Sequence, residues 1–345
     1  MELQFKKDFD EVRSRWDAFW KGQGHRPIIV IVMPKADAAP LPTWKDSLGD
    51  FEMLADKVER WAGSHEFLAD AMPSYHFEFG PDHFSLLLGS DLQIVPGSTD
   101  TTWCVPFLKD YGMDIRFCPE GPWWEKTVEF IRAFRARFDG RLMLSGPTLI
   151  AGLDCLVAIR GVNEVMMDLA VEPQAVTSAL RAIDRAYTQV RQALATEMDW
   201  AKWGSMNRHG MYSPGAIHVA QCDASCMIGP DMFQEFGLPS IRHEIQGMEA
   251  VEYHLDGPGA IQHLPVLCQL PQIKVIQWVP GAGEAAARDW SSLYRQILDS
   301  GKGQIFGGPA DEVIQLAKRF PSNRNYLRPR VSSIAEAQRV IQSVS

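Results

Sequence analysis

The sequence lacks the charge pattern and the long apolar segments that mark nucleic-acid-binding and membrane proteins. Its 345 residues carry a formal net charge of −9, and no basic stripe is present, which argues against a nucleic-acid partner. The longest apolar run, Ile28 to Met33, is far too short to span a bilayer. The N-terminal segment is charged from its start and lacks the apolar centre of a secretory signal. We therefore expect a cytoplasmic protein without a membrane partner.

The common motifs of catalysis and cofactor binding are also missing. No G-x-G-x-x-G follows the first predicted strand, and the chain has no P-loop, G-x-S-x-G elbow or H-E-x-x-H helix. The 6 cysteines are scattered along the chain, as in cytoplasmic proteins with reduced thiols. Cys222 and Cys226 lie four residues apart without a second cysteine pair, which argues against a structural zinc site.

Short apolar runs alternate with amphipathic segments along most of the chain. The runs end mainly in Gly or Pro, as expected of parallel strands that are covered on both faces. Strands are predicted at 27–34, 91–95, 141–149, 216–223, 249–257, 273–281 and 303–308, with an eighth at 200–205. Helices are predicted at 123–138, 173–197, 230–247, 284–299 and 309–320.

This alternation predicts an α/β fold, a single (β/α)8 TIM barrel, with a doubly wound sheet as the runner-up. We assign residues 1–345 to one domain and expect the closed barrel over 27–308. Residues 1–22 are predicted to form an N-terminal helical extension, because apolar residues there recur at three- or four-residue steps. The residues of this stripe are Phe9, Val12, Trp16 and Phe19.

The segment EAVEYHLDGPGA (249–260) places ionisable residues where a predicted strand ends. Side chains two apart on a strand point to the same face, so Glu252, His254 and Asp256 lie together. Burying them against helices would be costly, so this face should line the barrel mouth, where active sites of such barrels lie. His254 and Asp256 are therefore predicted to be catalytic. The alternative is a structural His–Asp pair that fixes a loop.

Other predicted strand ends supply further candidates. The strand ending at Asp223 precedes that of His254 and should be its neighbour, so Asp223 is predicted to join the catalytic group. His218 and Cys222 share one face of that strand. With His254 and Asp256 they offer nitrogen, sulfur and oxygen ligands suited to zinc, and we predict His254, Asp256 and Cys222 as metal ligands. The predicted substrate-binding residues are Met33, Lys35, Asp154 and Trp278.

Two segments have the layout of a known superfamily. In CDASCMIGPDMFQEFGLPSIRHEI (222–245) an aspartate precedes a Pro-x-x-Phe helix, and YHLDGPGAIQHLPVLCQLPQIKVIQWVPGAG (253–283) contains a His-x-Asp-Gly strand end. Together they resemble the uroporphyrinogen decarboxylase-like superfamily. That group includes the decarboxylase and the methylcobalamin:coenzyme M methyltransferases, and it is related to cobalamin-independent methionine synthase. The resemblance runs from about Arg26 to Gly308 and implies a (β/α)8 barrel.

The departures from the family pattern limit which activity is implied. The decarboxylases carry an arginine-rich segment after the first strand, whereas IIVIVMPKADAAPL (28–41) has Lys35 as its only cation. A polycarboxylate porphyrin would therefore lack its arginine partners. The methyltransferases bind zinc through His-x-Cys and a C-terminal cysteine. Here Asp256 replaces the first cysteine, and the C-terminal part has none, which leaves a harder site for zinc or another divalent metal.

The resemblance implies a methyltransferase as the leading hypothesis. Such an enzyme would transfer a methyl group between a small metabolite and a corrinoid protein, with metal assistance. The alternative is a lyase or decarboxylase that holds a small carboxylic acid through Lys35, Arg208 or Arg328. A third hypothesis is a non-catalytic barrel that binds a small molecule, since fold does not determine function. The sequence leaves a homodimer open. The pocket is expected to have mostly apolar walls.

Overall fold

The computed structural model describes residues 3–94, 102–281, 283 and 288–344. Three parts of the predicted elements lie outside these residues. They are residues 1–2 of the N-terminal helical extension, the end of the strand at Val95 and the helix start at 284–287.

The strands follow one another along the whole described chain. They are β1 Ile28–Pro34, β2 His65–Ala69, β3 Ser74–His76, β4 Leu92–Ile94, β5 Thr102–Cys104, β6 Met143–Ser145, β7 Ser205–Met206, β8 Tyr212–Ser213, β9 Ile217–Gln221, β10 Ala250–Asp256, β11 Ile273–Val279, β12 Gly303–Pro309 and β13 Tyr326–Arg330.

Helices lie between most of the strands. The α-helices are α1 Phe9–Trp20, α2 Phe51–Gly63, α3 His83–Leu86, α4 Pro122–Phe138, α5 Gly152–Arg160, α6 Val162–Val171, α7 Pro173–Glu197, α8 Trp200–Trp203, α9 Pro230–Met232, α10 Leu238–Glu244, α11 Leu264–Cys268, α12 Ser291–Asp299, α13 Ala310–Arg319 and α14 Ile334–Val344. Three short 3-10 helices (Trp44–Leu48, Asp223–Met227 and Pro258–His263) and a π-helical segment (Phe233–Gly237) add to them. In the described part of the chain, none of these helices combines the length and the apolar character needed to cross a bilayer.

The architecture is α/β, with a large and mainly parallel sheet. Its hydrogen-bonded order is β2-β1-β13-β12-β11-β10-β9, and only β2 runs antiparallel to its neighbour. Two-stranded pairs complete the described strands: β3 and β6 are parallel, whereas β4 with β5 and β7 with β8 are antiparallel. Within the described residues, the hydrogen bonds of these strands do not close into a single ring.

Most predicted elements are present, but several differ. The segment 91–95 gives a strand that pairs antiparallel with β5 outside the large sheet. The stretch 200–205 is mostly the helical turn α8, and only its last residue enters β7. The prediction missed β13, which inserts between β1 and β12. Pro329 and the alternating charges Arg328 and Arg330 hide this strand from an apolar-run criterion.

Helix α1 packs against the rest of the molecule by the predicted stripe. Phe9, Val12, Trp16 and Phe19 are all buried, and they belong to the main core cluster. The indole of Trp16 donates a hydrogen bond to the Asp70 carbonyl at 3.0 Å. The predicted helical extension is therefore helical from Phe9 to Trp20 and docks through its apolar face.

The two faces of β1 enter different core clusters. Ile28 and Val30 belong to the main cluster, whereas Ile29, Ile31 and Met33 pack in a smaller cluster. The smaller cluster also takes residues from β12, β13 and helices α13 and α14. Since successive side chains alternate across a strand, Val32 and not Met33 continues the face of Ile28 and Val30.

Candidate active site

Three predicted catalytic residues meet at the ends of β9 and β10. Asp223 begins the 3-10 turn that follows β9, and His254 and Asp256 lie on one face of β10. The three residues can each offer one ligand atom within 4.8 Å of the others. His254 Nε2 lies 3.9 Å from Asp223 Oδ1. The strand ends thus place one imidazole and two carboxylates around a common point.

Gln277 on β11 orients the imidazole of His254. These residues are directly opposite in the parallel register, and His254 Nδ1 lies 2.5 Å from Gln277 Oε1. A carbonyl oxygen only accepts, so Nδ1 carries the hydrogen and Nε2 presents its lone pair toward Asp223. Burial, followed by the nearby charge of Arg208, lowers the pKa of His254. The ring is thereby kept in the neutral form that acts as a ligand or a base.

Asp223 has one carboxylate oxygen that is buried without a hydrogen-bond partner. Its Oδ2 accepts from Gln221 Nε2 at 3.0 Å, while Oδ1 has no such partner among the described residues. Burial and the charge of Asp256 raise the pKa of Asp223 to about 6. An unsatisfied buried acceptor beside a second carboxylate is unfavourable unless a cation or a proton occupies the space between them.

Asp154 on α5 holds the backbone that carries Asp223. Its two carboxylate oxygens accept the backbone N–H groups of residues 223 and 224, both at 2.8 Å. Burial and the charge of Asp223 raise the pKa of Asp154 to about 7. Asp154 was predicted to bind substrate, and the structure shows it fixing the 3-10 turn at the site.

Glu252 is fully buried beneath His254 and has its own partners. Its Oε2 accepts from Asn207 Nδ2 at 2.8 Å, and Oε1 lies 2.6 Å from His209 Nδ1. Burial alone would raise the pKa of Glu252, but the adjacent His209 ring holds it below its ordinary value. Glu252 therefore shares the strand face of His254 while serving to anchor the turn between β7 and β8.

A cleft of about 470 Å³ reaches Asp154, Gln221 and Asp223. Its other walls come from α5, the start of α6, β5 and the turn after β9, and they are mainly apolar. Apolar lining residues include Ile150, Val157, Ala158, Val162, Trp103 and Met227. This composition agrees with the expected apolar pocket and suits a small molecule better than a polyanion.

Several predicted site residues lie elsewhere. Met33 is buried in the smaller core cluster. The Lys35 ammonium is 3.2 Å from Glu66 Oε1 and is half exposed. Cys222 is buried, is not part of the group of potential ligands found among the described residues, and burial raises its thiol pKa well above the ordinary value. Trp278 packs edge-to-face on Trp290, with ring centroids 4.8 Å apart.

Physical reasons explain these differences. Met33 and Trp278 lie one position from the strand face that points to the site, and Gln277 takes the place predicted for Trp278. His218 also lies away from the site, in a buried pair in which its Nε2 is 2.8 Å from Glu244 Oε2. Burial lowers the pKa of His218 to about 3.

Sequence reasoning missed part of the polar shell. Gln221 lies two residues before Asp223, and that spacing on a strand could have identified it. Asn207 and His209 come from a short turn between β7 and β8, where no periodicity points to function. The sequence suggests Arg208 only as a cation that binds a carboxylate, and the structure places it beside Gln221.

The donor set of Asp223, His254 and Asp256 fits a divalent metal. One imidazole nitrogen and two carboxylate oxygens, without a thiolate, suit zinc or another divalent ion of similar hardness and leave coordination positions for substrate. The unpartnered Asp223 Oδ1 is an acceptor that such an ion would satisfy. Gln277 supplies the orienting hydrogen bond that ligating histidines commonly make.

Comparison with known proteins identifies the fold but not a family. No family model matches the sequence, and no curated protein matches it either. Among solved structures, the chain is similar to a methyltransferase from Methanosarcina mazei, with a TM-score of 0.62 over 96% of this chain and 97% of that chain. The sequences are 10% identical, so the similarity concerns the fold.

Proposed function

We propose that the protein is a methyltransferase whose reaction takes place beside a divalent metal, such as zinc, held by Asp223, His254 and Asp256. The observation that carries this proposal is the convergence of these three side chains within 4.8 Å at adjacent strand ends. The fold shared with the methyltransferase from Methanosarcina mazei supports it. A metal bound there would act as a Lewis acid on the heteroatom that gives or accepts the methyl group.

The remaining residues of the site position this group and bind the substrate. Gln277 keeps the His254 lone pair directed at the common point, and Asp154 fixes the turn that carries Asp223. The apolar cleft walls would shield a bound substrate from water. The proposed second participant is a corrinoid protein that carries the methyl group, and it would approach at the open side of this cleft.

A single closed barrel is the proposed frame for this site. The parallel pair of β3 and β6, followed by β7, would fill the interval between β2 and β9, the two ends of the large sheet. A hydrogen bond from Ser145 Oγ on β6 to the Met206 carbonyl on β7, at 3.2 Å, supports their adjacency. The near-complete coverage of both chains in the fold comparison supports treating residues 1–345 as one domain.

Metal binding tests the proposal directly. We expect the purified protein to contain, or to take up from added Zn²⁺, one equivalent of metal by elemental analysis and calorimetry. The variants His254→Ala and Asp256→Ala should lose this equivalent and abolish methyl transfer, while the thermal midpoint of the metal-free protein stays nearly unchanged. His25→Ala, at an exposed histidine, is the matched control. Absence of a stoichiometric metal, or its full retention in His254→Ala, would contradict the proposal.

A lyase or decarboxylase is the second candidate function. The observation that favours it is Arg208, whose guanidinium lies in the same polar group and could hold a carboxylate. Release of CO2 from a bound acid by the metal-free protein would favour this candidate. Stoichiometric metal without methyl transfer to any carrier would instead favour the non-catalytic barrel.

A further inference from the structure

Arg208 is a half-buried cation at the site without a carboxylate partner. No carboxylate oxygen lies within 4.0 Å of it in the part of the chain that the structure describes, in contrast to Arg26, which binds Asp70 at 2.6 Å. Its Nη2 donates to Gln221 Oε1 at 2.8 Å, and its Nε donates to His209 Nε2 at 3.3 Å. We propose that Arg208 is the receptor for a carboxylate group of the substrate.

The turn that carries Arg208 is rigidly held. Asn207 Oδ1 accepts the backbone N–H groups of His209 and Met211, both at 3.0 Å, and its amide donates to buried Glu252. Tyr326 donates its hydroxyl to the His209 carbonyl at 2.7 Å. These bonds fix the backbone on both sides of residue 208, so less conformational freedom is lost when the guanidinium binds an anion.

The carboxylates near Arg208 already have partners of their own. Glu78 lies 3.0 Å from His76 Nε2, and Glu252 lies 2.6 Å from His209 Nδ1. Burial alone would raise the pKa of Glu78, but His76 lowers it to about 2. Glu78 and Glu252 thus provide a negative environment that stabilises the guanidinium without occupying it. In the described part of the chain the Arg208 Nη1 has no hydrogen-bond partner, so this nitrogen remains available to a carboxylate oxygen.

Gln221 connects this receptor to the side chains of the proposed metal site. Its Oε1 accepts from Arg208 and its Nε2 donates to Asp223 Oδ2 at 3.0 Å. A small molecule anchored by its carboxylate on Arg208 would therefore present an atom a few bonds away to Asp223, His254 and Asp256. Together with the proposed function, on which this inference rests, the position of Arg208 points to small carboxylic acids that carry a methylated heteroatom as the substrate class.

The other cations considered from the sequence fit this role less well. Lys35 is engaged by Glu66 and by the Gly63 carbonyl. Arg328 is exposed on β13, and its strand neighbour in the register is Gly307. Neither of them contacts Gln221 or the group around Asp223 among the described residues.

A matched pair of probes tests the assignment. Methoxyacetate and 2-methoxyethanol share the methyl ether and differ in the carboxylate, and their binding to the intact protein can be compared by calorimetry and competition. We expect methoxyacetate to bind more tightly than the alcohol, and Arg208→Met to weaken it by about 10- to 100-fold, as for loss of a charged hydrogen-bonded partner. Arg208→Lys should give a smaller loss, because it keeps the charge without the planar fork.

The controls separate this inference from the proposed function. Arg185→Met removes an exposed arginine of α7 and should leave binding of both probes unchanged. Zn²⁺ binding should remain stoichiometric in Arg208→Met, because Arg208 is not one of the proposed ligands. Equal or absent binding of the two probes, or loss only in Arg328→Met, would overturn the receptor assignment. Carboxylate discrimination without any metal binding would uphold it and overturn the metal proposal.

Discussion

Asp70, which is fully buried, and Asp223, which is partly buried, have very different hydrogen-bond partners. Asp70 is fully buried, and Arg26 binds it through two nitrogens at 2.6 and 3.0 Å. Arg15 adds a bond at 2.7 Å and the backbone N–H of Ile29 another at 2.9 Å. In the part of the chain that the structure describes, Asp223 has a single side-chain donor, Gln221, and one oxygen without a hydrogen-bond partner.

The pKa shifts of the two carboxyls have opposite directions. Burial alone would raise the pKa of Asp70, but Arg26 and then Arg15 hold it below its ordinary value. Burial and the charge of Asp256 raise the pKa of Asp223. The pairing of Asp70 joins helix α1 to the start of β1 and serves stability. The unpaired charge of Asp223 is the feature on which the proposed metal site rests.

The largest effect is expected when Asp70 is altered. Asp70→Asn should destabilise the protein by about 3 kcal/mol, because it removes the negative charge that pairs with Arg26 and Arg15 and replaces one acceptor oxygen with an N–H donor that faces them. Zn²⁺ binding should be unaffected. Denaturant unfolding measures the loss, and Asp311→Asn, which breaks the exposed pair with Arg339, is the control with an expected loss below about 1 kcal/mol. Equal losses of unfolding free energy in Asp70→Asn and Asp311→Asn would contradict a special structural role for Asp70.

Much of the fold could be predicted because the relevant signals are periodic. The stripe of α1 and the long helix α7 follow from three- and four-residue spacing. The strands β9 to β12 follow from apolar runs that end in turn residues. Strand β13 escaped because its sequence YLRPR has neither feature.

The candidate site could be predicted only in part, because some of its residues lie in segments without a periodic pattern. The convergence of His254, Asp256 and Asp223 could be predicted because polar residues at a strand end contrast with the apolar strand before them. The run IIVIVM gives no alternation, so the face of Met33 could not be determined from sequence. Arg208 and His209 reach the site through the pairing of a short turn with Glu252 and Tyr326, which are contacts distant in the sequence.

The buried histidine His83, which lies outside the candidate site, should make the stability of the protein depend on pH. His83 is fully buried, accepts the Phe79 N–H at Nδ1 over 3.0 Å, and has Thr127 as its partner at Nε2. Burial lowers the pKa of His83 from 6.5 to about 3. Unfolding therefore takes up a proton below pH 6.5, so this contribution to stability is lost as the pH falls from 6.5 toward 3.

The variant His83→Gln tests this expectation through the slope of stability against pH. Between pH 6.5 and 4.5 the His83 contribution corresponds to about 2 to 3 kcal/mol, at 1.36 kcal/mol per pH unit. The variant should lack that part of the acid-induced loss, measured by denaturant unfolding at several pH values. His25→Gln, at an exposed position, should retain the wild-type slope. An unchanged slope in His83→Gln would show that the ring is not held neutral.

A smaller effect is expected when the hydrogen bond that orients His254 is removed. Gln277→Leu deletes the acceptor of the Nδ1 hydrogen and should weaken Zn²⁺ binding by about 10- to 100-fold, the range for groups that orient a ligand. Calorimetry with Zn²⁺ measures the change, and Gln246→Leu at an exposed position is the control. Unaltered affinity in Gln277→Leu would mean that His254 is not a ligand or needs no orientation.

The smallest effect is expected at Lys35, the cation that the sequence placed beside the first strand end. Its ammonium contacts the Glu66 carboxylate at 3.2 Å and the Gly63 carbonyl at 3.1 Å, and both ionic side chains are nearly half exposed. Exposed pairs of this kind contribute little, so Lys35→Met should change the free energy of unfolding by less than about 0.5 kcal/mol. Binding of Zn²⁺ and of methoxyacetate should stay within about 2-fold of wild type, since no described contact joins Lys35 to Asp223 or Arg208. A tenfold loss of methoxyacetate binding in Lys35→Met would instead place the anion receptor at the end of β1. It would contradict the expectation that a charge with an ionic partner, such as Lys35, takes no part in ligand binding.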